Sequence, residues 1–264
     1  MSSELVRFEL REHVAEVTIS RPESRNALNW EAYRQLEAAF RSAQSDPEVR
    51  CVLLTGMDPA FCSGDDVKEI MAGPARETTV ATLRQVRPRA TPAALAVLEC
   101  DRPVVAAVNG PAVGWGMDLT LFCDIRIASE RAKFGELFIK RGLVSDIGGL
   151  SRLPKIVGPS KAAELLFTGD VIDGKEAERI GLVSQVVPHE SLLPTARALA
   201  DKIAANPPLA LRYMKEGLRR AQLSEPAELG GWVSQTLGIL FQTEDHKEGV
   251  RAFLEKRAPE FKGK

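Results

Sequence analysis

Arg102-Pro103-Val104-Val105-Ala106-Ala107-Val108-Asn109-Gly110-Pro111-Ala112-Val113-Gly114-Trp115-Gly116-Met117-Asp118 is the stretch that decides the fold. Val104 to Val108 is a short, wholly apolar run. Such a run reads as a strand buried on both faces. Asn109-Gly110 ends it. A glycine-rich loop follows, then a short helix around Met117 to Phe122 and another strand at Ile125 to Ala128. The same grammar occurs upstream, where the buried strand Cys51 to Gly56 leads into Ala60-Phe61-Cys62-Ser63-Gly64-Asp65-Asp66-Val67-Lys68. Strand, glycine loop and helix therefore repeat, which predicts an α/β fold with buried strands.

Working outward, Val6 to Ile19 alternates around a polar Arg11-Glu12-His13 turn and reads as a β-hairpin. Asn29 is placed to cap a helix reaching Ser45, with Leu36, Ala39, Phe40 and Ala43 on one face. Asp46-Pro47 stops that helix. A second helical stretch is expected from Thr78 to Glu99, interrupted at Pro88 and Pro92. Beyond residue 160 the chain has helical spacing near 160–168, 173–180, 192–206, 209–222, 226–243 and 246–257. The organisation predicted is an α/β core over residues 1–200 and a helical C-terminal region over 201–264.

Composition narrows the function. The chain has 264 residues, a net charge of −1, 44% hydrophobic and 27% charged residues. That is ordinary globular usage, and it points to neither nucleic acid nor an anionic membrane surface. Cys51, Cys62, Cys100 and Cys123 form no C-x-x-C pair and read as reduced and buried, in a cytoplasmic setting. The start, MSSELVRFEL, lacks the form of a signal peptide, and no apolar run reaches about 18 residues. His13, His189 and His246 have no ligand spacing, so no metal site is expected. None falls near a glycine loop in sequence, which argues against a Ser-His-Asp hydrolase. No G-x-G-x-x-G follows a strand, so a nicotinamide cofactor is not expected.

The two glycine loops carry the chemistry. Each ends at a helix start, where backbone N–H groups lack partners and partial positive charge gathers. Two such loops side by side would aim two N–H groups at one oxygen, making an oxyanion hole.

Both loops resemble the signature segments of the enoyl-CoA hydratase/isomerase (crotonase) family. The first fits A-F-x-x-G-x-D-[VIL], and 102–114 is close to the family consensus. The similarity continues through 123–129, 132–135, 148–154, 168–170, 177–183 and 243–249, and spans roughly residues 5–262. It implies a crotonase-like spiral of ββα turns with two roughly perpendicular sheets and a helical C-terminal trimerisation region. The protein would be a homotrimer or a dimer of trimers. The substrate implied is a small-molecule acyl-CoA, with coenzyme A as part of the thioester and no metal or covalently bound cofactor.

By position, the resemblance makes the backbone N–H groups of Asp65 and Trp115 the oxyanion-hole donors. Trp115 stands where family members usually carry glycine, so its indole either reshapes the acyl pocket or turns into the core. Family hydratases use two glutamates. One corresponds to Asp118, the other to Phe138, which carries no proton. Asp146, just before Gly148-Gly149, offers a substitute, and family isomerases resemble this chain in having Asp there. Asp118 and Asp146 together therefore read better as a proton-shuttling pair for double-bond isomerisation than as a water-positioning pair. Alternation from Phe138 puts Glu136 on the same strand face and leaves it a minor candidate. Coenzyme A and substrate would lie along Ser24, Arg25, Ser63, Gly64, Lys68, Gly114 and Phe138, with Lys256 near the nucleotide and supplied by a neighbouring subunit. Residues 70–98 would wall the acyl pocket. The other readings are hydration (lyase activity on a 2-enoyl-CoA in fatty-acid metabolism), decarboxylation or hydrolysis through the same enolate, and a non-catalytic acyl-CoA binder.

Overall fold

The computed structural model describes residues 4–72 and 90–264. Its larger sheet has six strands in the order β1-β2-β3-β4-β6-β9, formed by β1 (Val6–Arg11), β2 (Val14–Ile19), β3 (Cys51–Gly56), β4 (Val104–Val108), β6 (Ile125–Ser129) and β9 (Gln185–Val187). β1 and β2 form the expected hairpin, in the register Val6 opposite Ile19, turning at Glu12 and His13, both at positive φ. All other pairings in this sheet are parallel. Parallel strands need crossovers, and helices supply them. The helix Trp30–Ser45 joins β2 to β3, and its first turn is capped by Asn29, whose side chain accepts from Ala32 N.

Every residue of β3 and β4 is buried. Their side chains alternate between two cores. Val52, Leu54, Val104, Ala106 and Val108 join Leu36, Phe40 and Phe61 in the larger core. Cys51, Leu53, Val105 and Ala107 face the other way. There, the helix Leu192–Ala204 covers them with Leu192, Ala196, Ala200 and Ala204, one residue every turn or so. Small alanines let that helix lie close on the sheet.

A second, three-stranded sheet pairs β5 (Pro111–Val113), β7 (Lys133–Gly135) and β8 (Ile172–Asp173). Isolated bridges from Cys62 to Ala112 and from Leu28 to Asp65 extend this layer across the first glycine loop. Successive turns of the chain thus give one strand to the large sheet and one short stretch to the small one. The two glycine loops come to lie next to each other for that reason.

One expectation is revised. Pro92 does not interrupt a helix but begins one. The helix runs Pro92–Glu99 behind the Thr91 cap, because proline fits the first turn, whose N–H is unpaired anyway. Residues 78–89 of the predicted 78–99 stretch, Pro88 among them, lie outside the described residues.

The C-terminal part comprises the helices Pro208–Arg220, Pro226–Leu240 and Glu244–Glu255. It is tied to the α/β body by Lys215, a buried side chain whose Nζ lies 2.6 Å from both the Asp124 carboxylate and the Arg102 carbonyl. Leu218, Leu223, Phe253 and Leu254 on this region are all more than two-thirds exposed on the single chain.

Candidate active site

The two glycine loops are stitched together through their backbones. Phe61 N and Cys62 N both donate to Pro111 O at 3.1 Å, and Val113 N donates back to Cys62 O at 3.1 Å. Gly116 makes the approach possible, since a Cβ there would sit 1.9 Å from Cys62 O. Gly64 adopts φ +88, and a Cβ on it would meet Val113 O at 2.9 Å and Trp115 N at 3.2 Å. The peptide leading from Gly64 to Asp65 therefore lies against the start of the helix Trp115–Phe122. Among the described residues, no backbone carbonyl takes up the N–H of Asp65 or of Trp115. Two unpaired donors stand beside each other at the positive end of a helix.

A cleft opens in front of them, lined among the described residues by Ser63, Gly64, Asp65, Val67, Gly114, Trp115, Leu137, Phe138 and Arg141. The Trp115 indole is turned inward and is only 3% exposed. Its ring meets Tyr33 edge-on, with centroids 4.8 Å apart, and Phe122 at 6.0 Å. Its Nε1–H donates to Asp146 Oδ2 at 3.0 Å. The other Asp146 oxygen accepts from Ile147 N at 2.7 Å. So the residue at the unusual position ends one loop and also holds a carboxylate on another. The Tyr33 hydroxyl donates to Asp65 Oδ1 at 2.6 Å. Burial raises the Asp65 carboxyl above its ordinary range, against the opposing pull of that hydrogen bond. Burial and the neighbouring Asp65 likewise raise the Tyr33 phenol.

Behind the cleft lies a second group of acids. Asp118, in the first turn of its helix, is fully buried, and its Oδ1 accepts from Gly149 N at 2.6 Å. Glu136 is also fully buried, with Oε2 accepting from the Ser145 hydroxyl at 3.1 Å. Burial raises both, and Asp118 is raised further by the charge of Glu136. Gly148 and Gly149 are required by the crowding. A Cβ at 148 would fall 2.2 Å from Asp118 Oδ1, and one at 149 would fall 2.9 Å from Glu136 Oε1.

The expected shared face of Glu136 and Phe138 is not observed. β7 stops at Gly135, and Leu137–Arg141 winds into a 3-10 turn. Strand alternation no longer applies there, so Glu136 points into the interior while Phe138 lines the cleft.

The remaining sequence candidates divide. Ser63 N donates to Arg25 O at 3.1 Å and Ser63 Oγ to Ser24 O at 3.3 Å, so Ser24, Arg25 and Ser63 form one edge of the site. Lys68 is exposed in the turn Val67–Met71, which Asp66 caps. Lys256 is exposed at the end of the helix Glu244–Glu255 and is not among the cleft-lining residues. Tyr33, Arg141 and Ser145 were not singled out from sequence. Tyr33 alone left a trace there, three residues before Leu36 on the buried face of its helix. Among the described residues no three His, Cys, Asp or Glu side chains gather as a metal-holding group.

Comparison with known proteins gives the family. The family model described as enoyl-CoA hydratase/isomerase matches residues 9–264. The chain is 39% identical to (E)-benzylidenesuccinyl-CoA hydratase of Thauera aromatica, over 98% of this chain and 99% of that protein. It is 36% identical to crotonyl-CoA hydratase of Syntrophomonas wolfei, over 99% of each. Among solved structures, an enoyl-CoA hydratase from Bacillus anthracis superposes with a TM-score of 0.90 at 33% identity, covering 98% of this chain and all of that one.

Proposed function

The chain belongs to the enoyl-CoA hydratase/isomerase family, a family of enzymes acting on CoA thioesters, and on that premise we propose that it hydrates a 2-enoyl-CoA through a thioester enolate. The observation that carries the reading is the pair of adjacent, unpaired N–H groups of Asp65 and Trp115. Attack at Cβ pushes negative charge onto the thioester oxygen. Donors fixed in place before the reaction stabilise that charge, each by about 3–4 kcal/mol.

The proton steps fall to carboxyls. Asp146 takes a proton from the water whose oxygen bonds to Cβ, and Asp118 delivers one to Cα. Atoms balance as one water added across the double bond. Asp146 suits a base because each of its oxygens accepts one N–H and the side chain is only half-buried. Ser24, Arg25, Ser63 and Lys68 would hold coenzyme A, with Lys256 reaching it from a neighbouring copy. The exposed apolar side chains of the C-terminal helices suit burial in a trimer or a dimer of trimers. No described helix is long and apolar enough to cross a membrane.

Hydration is favoured over the isomerisation read from the residue pattern because both relatives compared above carry the name hydratase. Isomerisation keeps one supporting observation: Phe138, facing the cleft, occupies the position of a hydratase glutamate. Purified protein given 2-enoyl-, 3-enoyl- and dienoyl-CoA in D₂O decides. Water added to the 2-enoyl thioester supports the proposal. Bond migration or deuterium uptake without hydration overturns it in favour of isomerisation. Binding with no reaction would overturn both.

Trp115→Phe gives a narrower test. It keeps the backbone donor and most of the ring but removes the N–H that holds Asp146. A fall in kcat of about tenfold to a hundredfold is expected, the equivalent of one hydrogen bond to a charged group. Unaltered kcat would mean that the indole only fills space.

A further inference from the structure

Asp118 and Glu136 pose a problem that the proposed reaction leaves unanswered. Each carboxyl is fully buried. Each has one oxygen with a partner and one without: among the described residues, nothing hydrogen-bonds to Asp118 Oδ2 or Glu136 Oε1. Both crowd the same peptide, Gly148-Gly149, from two different elements, one from the helix Trp115–Phe122 and one from the end of β7.

Among the described residues, no cation faces the pair. The groups facing the pair are each other, Asp146 and the Ser145 hydroxyl from the loop before the turn, and backbone N–H groups including that of Gly149. Arg152, later in the same turn, acts on Cys123 and Arg126 instead. Two carboxylates buried against one peptide, with no described cation between them, cannot both be charged. One must keep a proton, and that proton turns a bare acceptor into a donor.

We propose that Asp118 and Glu136 hold one proton between them and act as a single buried acid, with Glu136 the positioning residue that keeps Asp118 protonated at working pH. This rests on the role proposed above for Asp118 as the proton donor to Cα. A carboxyl in water would have lost its proton by neutral pH. The negative partner holds it on Asp118 instead. Glu136 is itself fastened by Ser145, the residue beside Asp146, so its position is set by the loop that carries the other carboxyl.

Glu136→Gln tests the idea, because the amide keeps the volume and the hydrogen bond to Ser145 but not the charge. Its alkaline limb of kcat against pH is expected to move down by about one pH unit or more. Glu136→Asp should restore the limb. In the wild type, infrared difference titration should find a carboxylic acid C=O stretch that survives past neutral pH and is lost at lower pH in Glu136→Gln. Should Glu136→Gln not fold, Asp118→Asn serves by reciprocity, its remaining buried carboxyl losing its proton at lower pH than in the wild type. An unmoved alkaline limb, or an acid stretch that titrates unchanged in either single variant, overturns the proposal. A wild-type protein that hydrates no enoyl-CoA but shows the persistent acid stretch would sink the hydratase reading alone and would support the shared proton.

Discussion

Replacing Asp146 by Asn is expected to lower kcat by about 10²–10⁴-fold while acyl-CoA binding persists. The amide has the volume of the carboxylate, and its oxygen still accepts the Trp115 indole N–H. What it cannot do is take a proton from water. The amide gives up only the short bond from Ile147 N while keeping its volume and its hold on Trp115, so the loss should fall on the chemical step and not on KM. The measurement is steady-state turnover of a 2-enoyl-CoA beside calorimetric binding of a saturated acyl-CoA, which cannot react. Turnover equal to the wild type would remove Asp146 from the mechanism. Lost binding together with lost turnover would point to a loop that has come apart.

Gly64→Ala is expected to cost about 10²–10³-fold in kcat, the loss of one oxyanion donor. Two effects combine. The backbone there is at φ +88, a conformation that any residue with a Cβ adopts at a cost of about 1–2 kcal/mol. The new methyl would also press on Val113 O at 2.9 Å and Trp115 N at 3.2 Å. Both contacts are with backbone, which cannot swing aside as a side chain does. Relief therefore comes from parting the two loops, and the two N–H groups no longer converge. Circular dichroism should show a folded protein, because the strain falls on the contact between two loops and leaves the paired strands of the large sheet in place. A folded variant with wild-type kcat would contradict the oxyanion-hole reading.

The limits of reading this chain from its sequence follow from how far each signal reaches. Val104 to Val108 and Cys51 to Gly56 were legible as buried strands because a strand packed on both faces needs an unbroken apolar run. The helix from Trp30 to Ser45 was legible from its cap and its stripe. β5, β7 and β8 were not, since two or three residues carry no period to detect. That gap caused the misreading of Glu136. Alternation was carried past the end of β7, between Glu136 and Phe138, where the chain had already left the strand for a 3-10 turn and the two-residue period no longer holds.

By itself, the sequence determined the alternation of buried strands and helices, the two glycine loops, and the resemblance that names the thioester chemistry. These are local features, each fixed by residues close together in the chain. Only the tertiary structure decided where the Trp115 indole goes, which carboxyls share a space, and that Tyr33 and Asp65 meet. These are pairings between separate elements, and two of them, Trp115 with Asp146 and Tyr33 with Asp65, span 31 and 32 residues of chain. Their geometry depends on how the two sheets stack the loops, and no spacing within either loop encodes it.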